Sequence, residues 1–308
     1  MTSTIIVGYD GRDHATDALA LGQLLARTTS SRLAVVCAYP EDPLGHGGAV
    51  ADIGTSVRQD AEAAIARAKQ LVGDGGGVEV EFHALAGSKP SQVLHDVAEE
   101  REAIAIVVGA THHGAAVRLL TGSTPERVLD GSPCPVAVAP VGFAAKNADH
   151  TTSGVLGGAG GSSLQVAVAF DESPEAAQAL AAAADFARRA GGRLRVVTAV
   201  NSAVGMYPPL DPTAYAEIAE IARRTATERL DAAVARLDGL TVDAAVVDGD
   251  PASVLLEDAE HDDILFTGSS GKGPFKRVLL GSVSTTLLRE AACPVVIVPR
   301  GSGEGETA

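Results

Sequence analysis

Residues 268–299 read GSSGKGPFKRVLLGSVSTTLLREAACPVVIVP, and residues 109–140, which lie 159 positions earlier, read GATHHGAAVRLLTGSTPERVLDGSPCPVAVAP. The two stretches align without a gap and are identical at eleven of 32 positions. The starts of the two halves also correspond, because TIIVGYDGRDHATDALALGQLL at residue 4 lies over QVAVAFDESPEAAQALAAAADF at residue 165. Self-similarity over this length indicates that the chain contains two tandem copies of one domain.

Short runs rich in β-branched residues alternate with longer segments rich in Ala and Leu in each half. The runs are IIVGYD, LAVVCAY, VEVEFHAL, AIVVGA and PVAVAP in the first half, and VAVAFD, LRVVTAV, VDAAVV, ILFTGS and PVVIVP in the second. This alternation predicts an α/β fold with a parallel sheet covered by helices. Ser173, Pro174 and Glu175 supply an N-cap, a first-turn proline and an acidic first turn, so we expect a helix to begin there.

The repeat also predicts the domain boundaries. We expect a first domain at residues 1–143 and a second at 165–300, because 308 residues suffice for two domains of about 150 residues each. Residues 144–164 are rich in Gly, Ser and Thr without an apolar period, and so predict a flexible linker. We expect residues 301–308 to form a disordered tail.

The charge balance excludes some classes of partner. The chain has 24 Lys and Arg residues against 39 Asp and Glu, a net charge of −15, which disfavours nucleic acid and anionic membranes. No run of about 20 apolar residues and no signal-peptide pattern is present, so we expect a cytoplasmic protein. The cysteines Cys37, Cys134 and Cys293 are expected to be buried free thiols rather than redox or metal groups.

A glycine-rich loop marks the candidate site. Gly268, Gly271 and Gly281 follow the predicted strand ILFT, and Ser282 opens the helical segment SVSTTLLREA. In open parallel sheets, ligands bind outside the carboxyl ends of the strands, and a helix start offers N–H groups to anions. The loop therefore indicates a phosphate site, to which Ser282 and Ser284 add hydroxyl donors. The alternative is an ordinary flexible turn.

Two more residues follow strands that end at the same edge of the sheet. Asp171 is suited to bind sugar hydroxyls or a phosphate-bound metal, and Ala199 is small enough to admit a base against its backbone. Both placements favour a nucleotide. The alternative for Asp171 is a helix-entry cap beside Ser173.

The spacing Gly268-x2-Gly271-x9-Gly281-Ser282, with Asp171 after the first strand, resembles the ATP-binding class of the universal stress protein family. The resemblance covers nearly the whole chain as two tandem domains. It implies a Rossmann-like fold of the adenine nucleotide alpha hydrolase type, with five strands in the order 3-2-1-4-5 in each domain. It also implies that the last strands, CPVAVAP and CPVVIVP, pair between domains or subunits, so a homodimer through these strands is expected.

The resemblance implies ATP with Mg²⁺ in the second domain. It makes the glycine loop a set of phosphate and ribose contacts, places Asp171 near the ribose or phosphate, and makes Ala199 the backbone partner of adenine. The implied contacts are Asp171, Ala199, Gly268, Gly271, Gly281, Ser282, Val283 and Ser284.

The first domain departs from this pattern. His112 stands where the middle glycine is expected, and Pro125 stands opposite Ser284. A side chain at the glycine position is a steric block, although an imidazole can also donate to phosphate, so binding by the first domain stays open. The matching residues are Asp10, Ala38, Gly109, Gly122 and Ser123.

Three functions follow from these features. The first is a nucleotide-dependent regulatory protein of the stress response, acting on a protein partner that the sequence does not identify. The second is a slow ATPase; the chain has no GxxxxGK[ST] or GxSxG motif and no identifiable general base or arginine finger, so hydrolysis is expected to be weak at most. The third is a scaffold in which the glycines only shape turns. The pair His112–His113 lacks spaced partners for a metal.

Overall fold

A computed structural model describes residues 2–41, 51–110, 124–147, 163–201, 212–269 and 280–299. The described residues fall into two compact units, one before residue 148 and one from residue 163 onward. No helix within these ranges is long and apolar enough to cross a membrane.

The first unit contains five strands, five α-helices and one short 3-10 helix (Gly75–Gly77) among its described residues. The strands are β1 (Thr4–Gly8), β2 (Arg32–Tyr39), β3 (Val80–Ala86), β4 (Ala105–Gly109) and β5 (Val136–Ala139). The helices are α1 (Asp13–Thr29), α2 (Ala51–Val72), α3 (Pro90–Glu100), α4 (Thr124–Leu129) and α5 (Phe143–Lys146).

The second unit repeats this order of elements. Its strands are β6 (Gln165–Ala169), β7 (Arg193–Val200), β8 (Val242–Asp248), β9 (Ile264–Gly268) and β10 (Val295–Val298). Its described helices are α6 (Pro174–Ala190), α7 (Pro212–Val234), α8 (Pro251–Asp258) and α9 (Ser282–Glu290).

Each unit has a sheet with the predicted strand order. The order is β3-β2-β1-β4-β5 in the first unit and β8-β7-β6-β9-β10 in the second, and the described pairs within each unit are parallel. The α/β fold with order 3-2-1-4-5 is therefore confirmed.

In both sheets the chain winds outward from the central strand and then returns to the other side of that strand. The strand order reverses between β1 and β4, and again between β6 and β9, and such switch points leave a crevice at the carboxyl edge.

Ala-rich helices cover these sheets closely. In α1, the predicted apolar face is buried, with Ala18, Leu21 and Leu25 exposed by 0%, 0% and 5%. The α6 helix begins as predicted, because the Ser173 hydroxyl accepts a hydrogen bond from the Ala176 N–H at 3.1 Å and Pro174 occupies the first turn. The three cysteines are buried free thiols, as expected.

Two glycines allow a helix start to lie directly on a strand end. A Cβ on Gly109 would lie 1.8 Å from the carbonyl oxygen of His14, and a Cβ on Gly268 would lie 2.7 Å from the carbonyl carbon of Glu175. His14 and Glu175 lie in the first turns of α1 and α6. Both glycines thus have a packing role that is independent of any ligand.

A buried aspartate shapes the chain after β5. The carboxylate of Asp17, which is 6% exposed, accepts hydrogen bonds from the N–H groups of Gly142 (2.9 Å) and Ala144 (2.8 Å). These bonds satisfy N–H groups at the start of α5, which has no side-chain cap of its own. Regular structure therefore continues through residues 144–146 of the predicted linker, and its remaining bounds stay a prediction.

An ion cluster lies at the opposite edge of the second sheet, near the amino ends of β7, β8 and β9. Arg195 donates to Asp243 at 2.6 Å and to Asp258 at 3.0 Å. Asp262 lies beside them and is only 8% exposed. Burial raises the pKa of Asp262 to about 7, the charge of Asp258 adds to the rise, and Arg195 opposes it.

We predict that this cluster makes stability fall as pH rises. The folded protein keeps a proton on Asp262 up to pH of about 7, whereas the unfolded chain releases it near the ordinary value of 3.8. Between these values the folded state alone binds the proton, so the free energy of unfolding decreases with pH, by up to about 4 kcal/mol in total. Urea unfolding across this range measures the slope. Asp262→Asn should make this slope less steep, and exposed Asp231→Asn should not; an unchanged slope in Asp262→Asn would contradict the assignment.

We also predict that Gly109→Ala and Gly268→Ala lower the free energy of unfolding by at least about 2 kcal/mol, because the new methyl group meets backbone that must move. Denaturant titration followed by circular dichroism measures the change. The control is Gly239→Ala, where the φ of +73° is unfavourable for alanine but nothing lies within 4 Å of the new Cβ. That variant should lose only about 1 kcal/mol. Equal losses at the three positions would show that the close approach is not the cause.

Candidate functional site

The carboxyl ends of β6, β7 and β9 bring together the described second-half residues that the sequence analysis selected. Asp171 follows β6, Ala199 lies near the end of β7, and Gly268 ends β9. A hydrogen bond joins the end of β6 to β7, since the Phe170 N–H donates to the Val197 carbonyl at 2.9 Å. The packing of Gly268 on the first turn of α6 places the end of β9 at the helix that Asp171 leads into.

Asp171 has one oxygen committed to the helix entry. Its Oδ1 accepts from the Ser173 N–H at 3.1 Å and from the Ser173 hydroxyl at 2.6 Å. Ser173 is the actual N-cap, so Asp171 supports the cap rather than forming it. Among the described residues no ion pair involves Asp171, and its side chain is exposed. The second oxygen is therefore available at the switch point.

The start of α9 is tied to the end of β9, the strand that pairs with β6. Its N-cap is Gly281, in extended conformation (φ −68°, ψ 163°), and no side-chain oxygen caps the helix. The first N–H groups of a helix have no intrahelical partners, so an uncapped start favours an anion. Ser282 is exposed and Val283 is half-buried at this start.

Ser284 faces inward instead. It is 4% exposed, and its hydroxyl donates to the Gly268 carbonyl at 3.2 Å. This bond joins the start of α9 to the end of β9, so in this structure the hydroxyl braces the site. In the first unit Pro125 occupies the corresponding place in α4, and proline has neither a hydroxyl nor an N–H group to replace the bond.

Asp10, the counterpart of Asp171, contacts two basic side chains. Its Oδ1 accepts from the Arg12 N–H at 3.1 Å, and its Oδ2 lies 3.3 Å from His14 Nε2 and 3.7 Å from an Arg12 guanidinium nitrogen. Partial burial acts to raise the pKa of Asp10, but the hydrogen bonds from His14 and the Arg12 N–H, with the charges of both residues, hold it below its usual value. Both oxygens of Asp10 thus already have contacts within the same loop and helix start. The sequence analysis missed His14, whose signal is its place four residues after Asp10 on a predicted helix.

The remaining first-half residues take the expected places. Ala38 lies near the end of β2 and Gly109 ends β4. A cavity of about 860 Å³ opens nearby, lined by Arg12, His14 and Ala110 among others, but not by Asp10, Ala38 or Gly109. It therefore borders the first-half site rather than coinciding with it. The expected contacts Gly122, Ser123 and Gly271, and also His112, lie outside the described residues.

We predict that Ser284→Ala lowers the free energy of unfolding by about 1 kcal/mol, because it removes a buried hydrogen bond to Gly268. The matched control is Ser282→Ala, at an exposed position on the same helix turn, which should leave stability unchanged. Denaturant titration of both variants measures the difference. Equal stability of the two would mean that the hydroxyl of Ser284 does not brace the strand end.

Comparison with known proteins identifies the family. Residues 1–140 and 164–299 each match the universal stress protein family. A universal stress protein of Mycobacterium tuberculosis is 30% identical over 306 residues, covering 96% of this chain and 99% of that protein. One from Mycolicibacterium smegmatis is 32% identical over 268 residues, covering 86% and 83%. The crystal structure of a universal stress protein from Archaeoglobus fulgidus has the same fold, with a TM-score of 0.69 and 21% identity over 98% of this chain and 97% of that one. The chain therefore belongs to the universal stress protein family and carries two tandem copies of its domain.

Proposed function

We propose that the second unit binds ATP as its magnesium complex, and that the protein acts as a nucleotide-dependent regulator in the stress response. The observation that carries the proposal is the exposed Asp171 carboxylate at the switch point, with one oxygen uncommitted among the described residues, beside the uncapped start of α9. A carboxylate and a helix start at one crevice are complementary to a sugar and a phosphate chain.

The second unit offers a separate group for each part of the nucleotide. The N–H groups at Ser282 and Val283 are assigned to phosphate, Asp171 to the ribose or the metal, and the backbone of Ala199 to adenine. Gly281 leaves the helix start free of a side chain, so a phosphate can approach the backbone closely. Gly271 belongs to the same assignment on the sequence pattern alone.

Magnesium fits this site only together with phosphate. Mg²⁺ prefers oxygen ligands and is usually held by one or two carboxylates plus phosphate oxygens and water. Asp171 supplies one such carboxylate. Within the described ranges no group of three or more His, Cys, Asp or Glu side chains could hold a metal. We therefore propose that the metal arrives with the nucleotide, where it neutralises phosphate charge.

The first unit is a weaker candidate for the same ligand. The Asp10 carboxylate already interacts with His14 and Arg12, and Pro125 cannot brace β4 as Ser284 braces β9. A nucleotide would have to displace these contacts before Asp10 could bind sugar or metal. We accordingly propose that the second unit is the principal site. The homodimer through CPVAVAP and CPVVIVP, the regulatory protein partner and the cytoplasmic location belong to the same proposal.

A structural scaffold is the second candidate. It is favoured by the packing of Gly268 on α6 and by the inward bond of Ser284, because each explains a residue of the glycine motif without a ligand. The scaffold leaves the uncommitted oxygen of Asp171 and the uncapped start of α9 without a role. For this reason the nucleotide site accounts for more of the geometry.

The test is calorimetric titration of nucleotide-stripped protein with Mg·ATP. We predict one site per chain, loss of binding in Gly271→Glu, and at least about tenfold weaker binding in Asp171→Asn, because a charge-assisted contact is removed. Asp185→Asn, an exposed carboxylate on α6, is the matched control and should bind as the wild type does.

The possible outcomes separate the two functions. Absence of heat, together with no rise of the melting temperature at millimolar ATP, would favour the scaffold, since a ligand of the folded state must stabilise it. Wild-type affinity in both Gly271→Glu and Asp171→Asn would place the nucleotide elsewhere. Two sites per chain would show that the first unit also binds, and equal affinities of the two sites would overturn the ranking of the two units.

A further inference from the structure

An arginine from the second helix of each unit holds the loop that follows the first strand. In the first unit, Arg67 of α2 donates to the Gly11 carbonyl at 2.7 Å. In the second unit, Arg229 of α7 donates to the Glu172 carboxylate at 2.6 Å. Arg67 and Arg229 lie 162 positions apart and Gly11 and Glu172 lie 161 apart, so the contact joins equivalent places in the two copies.

The duplication distinguishes this contact from other surface ion pairs of the same helix. Arg223 of α7 pairs with Asp248, but its counterpart 162 positions earlier is Ala61, so that pair exists in one copy only. The Arg229 contact has an equivalent in each copy even though its acceptor changed from a backbone carbonyl to a carboxylate. An interaction kept through such a change of chemistry points to a shared role of the arginine.

The backbone of the loop explains what the arginine holds. Gly11 has φ +80° and Glu172 has φ +66°, so both residues adopt the left-handed conformation. Glycine adopts it without strain, whereas a glutamate in this conformation is sterically disfavoured. In the second unit the bond between Glu172 and Arg229 stabilises the disfavoured conformation. In the first unit no such support is needed, and the arginine bonds the carbonyl directly.

The conformation of this loop sets the orientation of Asp171, the residue proposed to bind the nucleotide. Glu172 lies between Asp171 and Ser173, and the left-handed turn at Glu172 brings the Ser173 N–H and hydroxyl onto one oxygen of Asp171. The direction of the free oxygen of Asp171 therefore depends on the conformation of Glu172. Helix α7 also follows β7, which carries Ala199, so the arginine links the two elements assigned to the ribose and the base.

We infer that Arg229 is a positioning residue of the second-unit site, because it holds the left-handed turn that presents the Asp171 carboxylate to an adenine nucleotide. The inference rests on the proposed function for its ligand, and on the paired contacts of Arg229 and Arg67 for its geometry. Arg229 and Glu172 are 59% and 36% exposed, and such surface pairs contribute little to global stability. Loss of the pair should thus change the site more than the fold.

The first experiment compares Arg229→Met and Arg229→Lys by calorimetry with Mg·ATP and by thermal melting without ligand. Arg229→Met should raise Kd about fivefold and leave the melting temperature nearly unchanged, while Arg229→Lys should recover most of the affinity. Arg224→Met, at an exposed position on the same helix, is the matched control and should bind normally. Wild-type Kd in Arg229→Met, or an equal loss in Arg224→Met, would overturn the positioning role while leaving the proposed function intact.

The second experiment substitutes the other partner. Glu172→Gly recreates the first-unit arrangement, in which the arginine bonds a carbonyl, and should keep near wild-type affinity. Glu172→Ala offers the same backbone carbonyl but lacks the tolerance for positive φ, so its Kd should rise as in Arg229→Met. Equal affinities of these two variants would contradict the argument from the backbone.

A measurement without nucleotide separates this inference from the proposed function. Hydrogen exchange of the Ser173 and Ala176 amides reports the turn and its cap directly, because both amides are donors in that network. We expect faster exchange at these amides in Arg229→Met and no change in Arg224→Met. Unchanged exchange in Arg229→Met would overturn the positioning role even if the wild-type protein bound no ATP. Faster exchange in Arg229→Met, in a protein that binds no ATP, would confirm that Arg229 holds the turn and would reject the adenine nucleotide as its ligand.

Discussion

Each half depends on one close approach between backbone and backbone, in which the first turn of a helix lies on the end of the fourth strand. Gly109 and Gly268 permit it because a Cβ at either place would overlap the carbonyl group of His14 or of Glu175. The contact brings together the two strands between which the strand order reverses. Those strands also pair directly, so the aspartate after the first strand and the loop after the fourth leave the sheet side by side.

The same framework carries different charges in its two copies. In the first, the aspartate at the switch point already contacts the side chains of His14 and Arg12. In the second, one oxygen of the aspartate bonds Ser173, and no partner of the other oxygen lies within the described part of the chain. The two copies therefore share their packing but differ in the electrostatics of their crevices. This is expected, because a close-packed contact is destabilised by small changes in volume, whereas an exposed charge can be replaced at little cost in stability.

The residues of the glycine motif have two different kinds of role. Gly268 and Ser284 each have a contact inside the protein, with helix α6 and with the strand end, respectively. Among the described residues, no side-chain hydrogen bond caps the helix that begins at Gly281 and Ser282. The motif therefore combines residues that build the crevice with residues that face it, and only the second kind needs a ligand to explain it.

The sequence by itself determined the duplication, the ten strands and the helix start at Ser173, whereas the strand order was implied only by the resemblance to the universal stress protein family. These features follow from local rules, since residue period, caps and turn residues act over a few positions along the chain. The tertiary structure alone decided that Gly268 lies under a helix, that Ser284 turns inward, and that Arg229 reaches Glu172. The partners in these contacts are distant in sequence and meet only after the sheet has formed, so no local pattern specifies them.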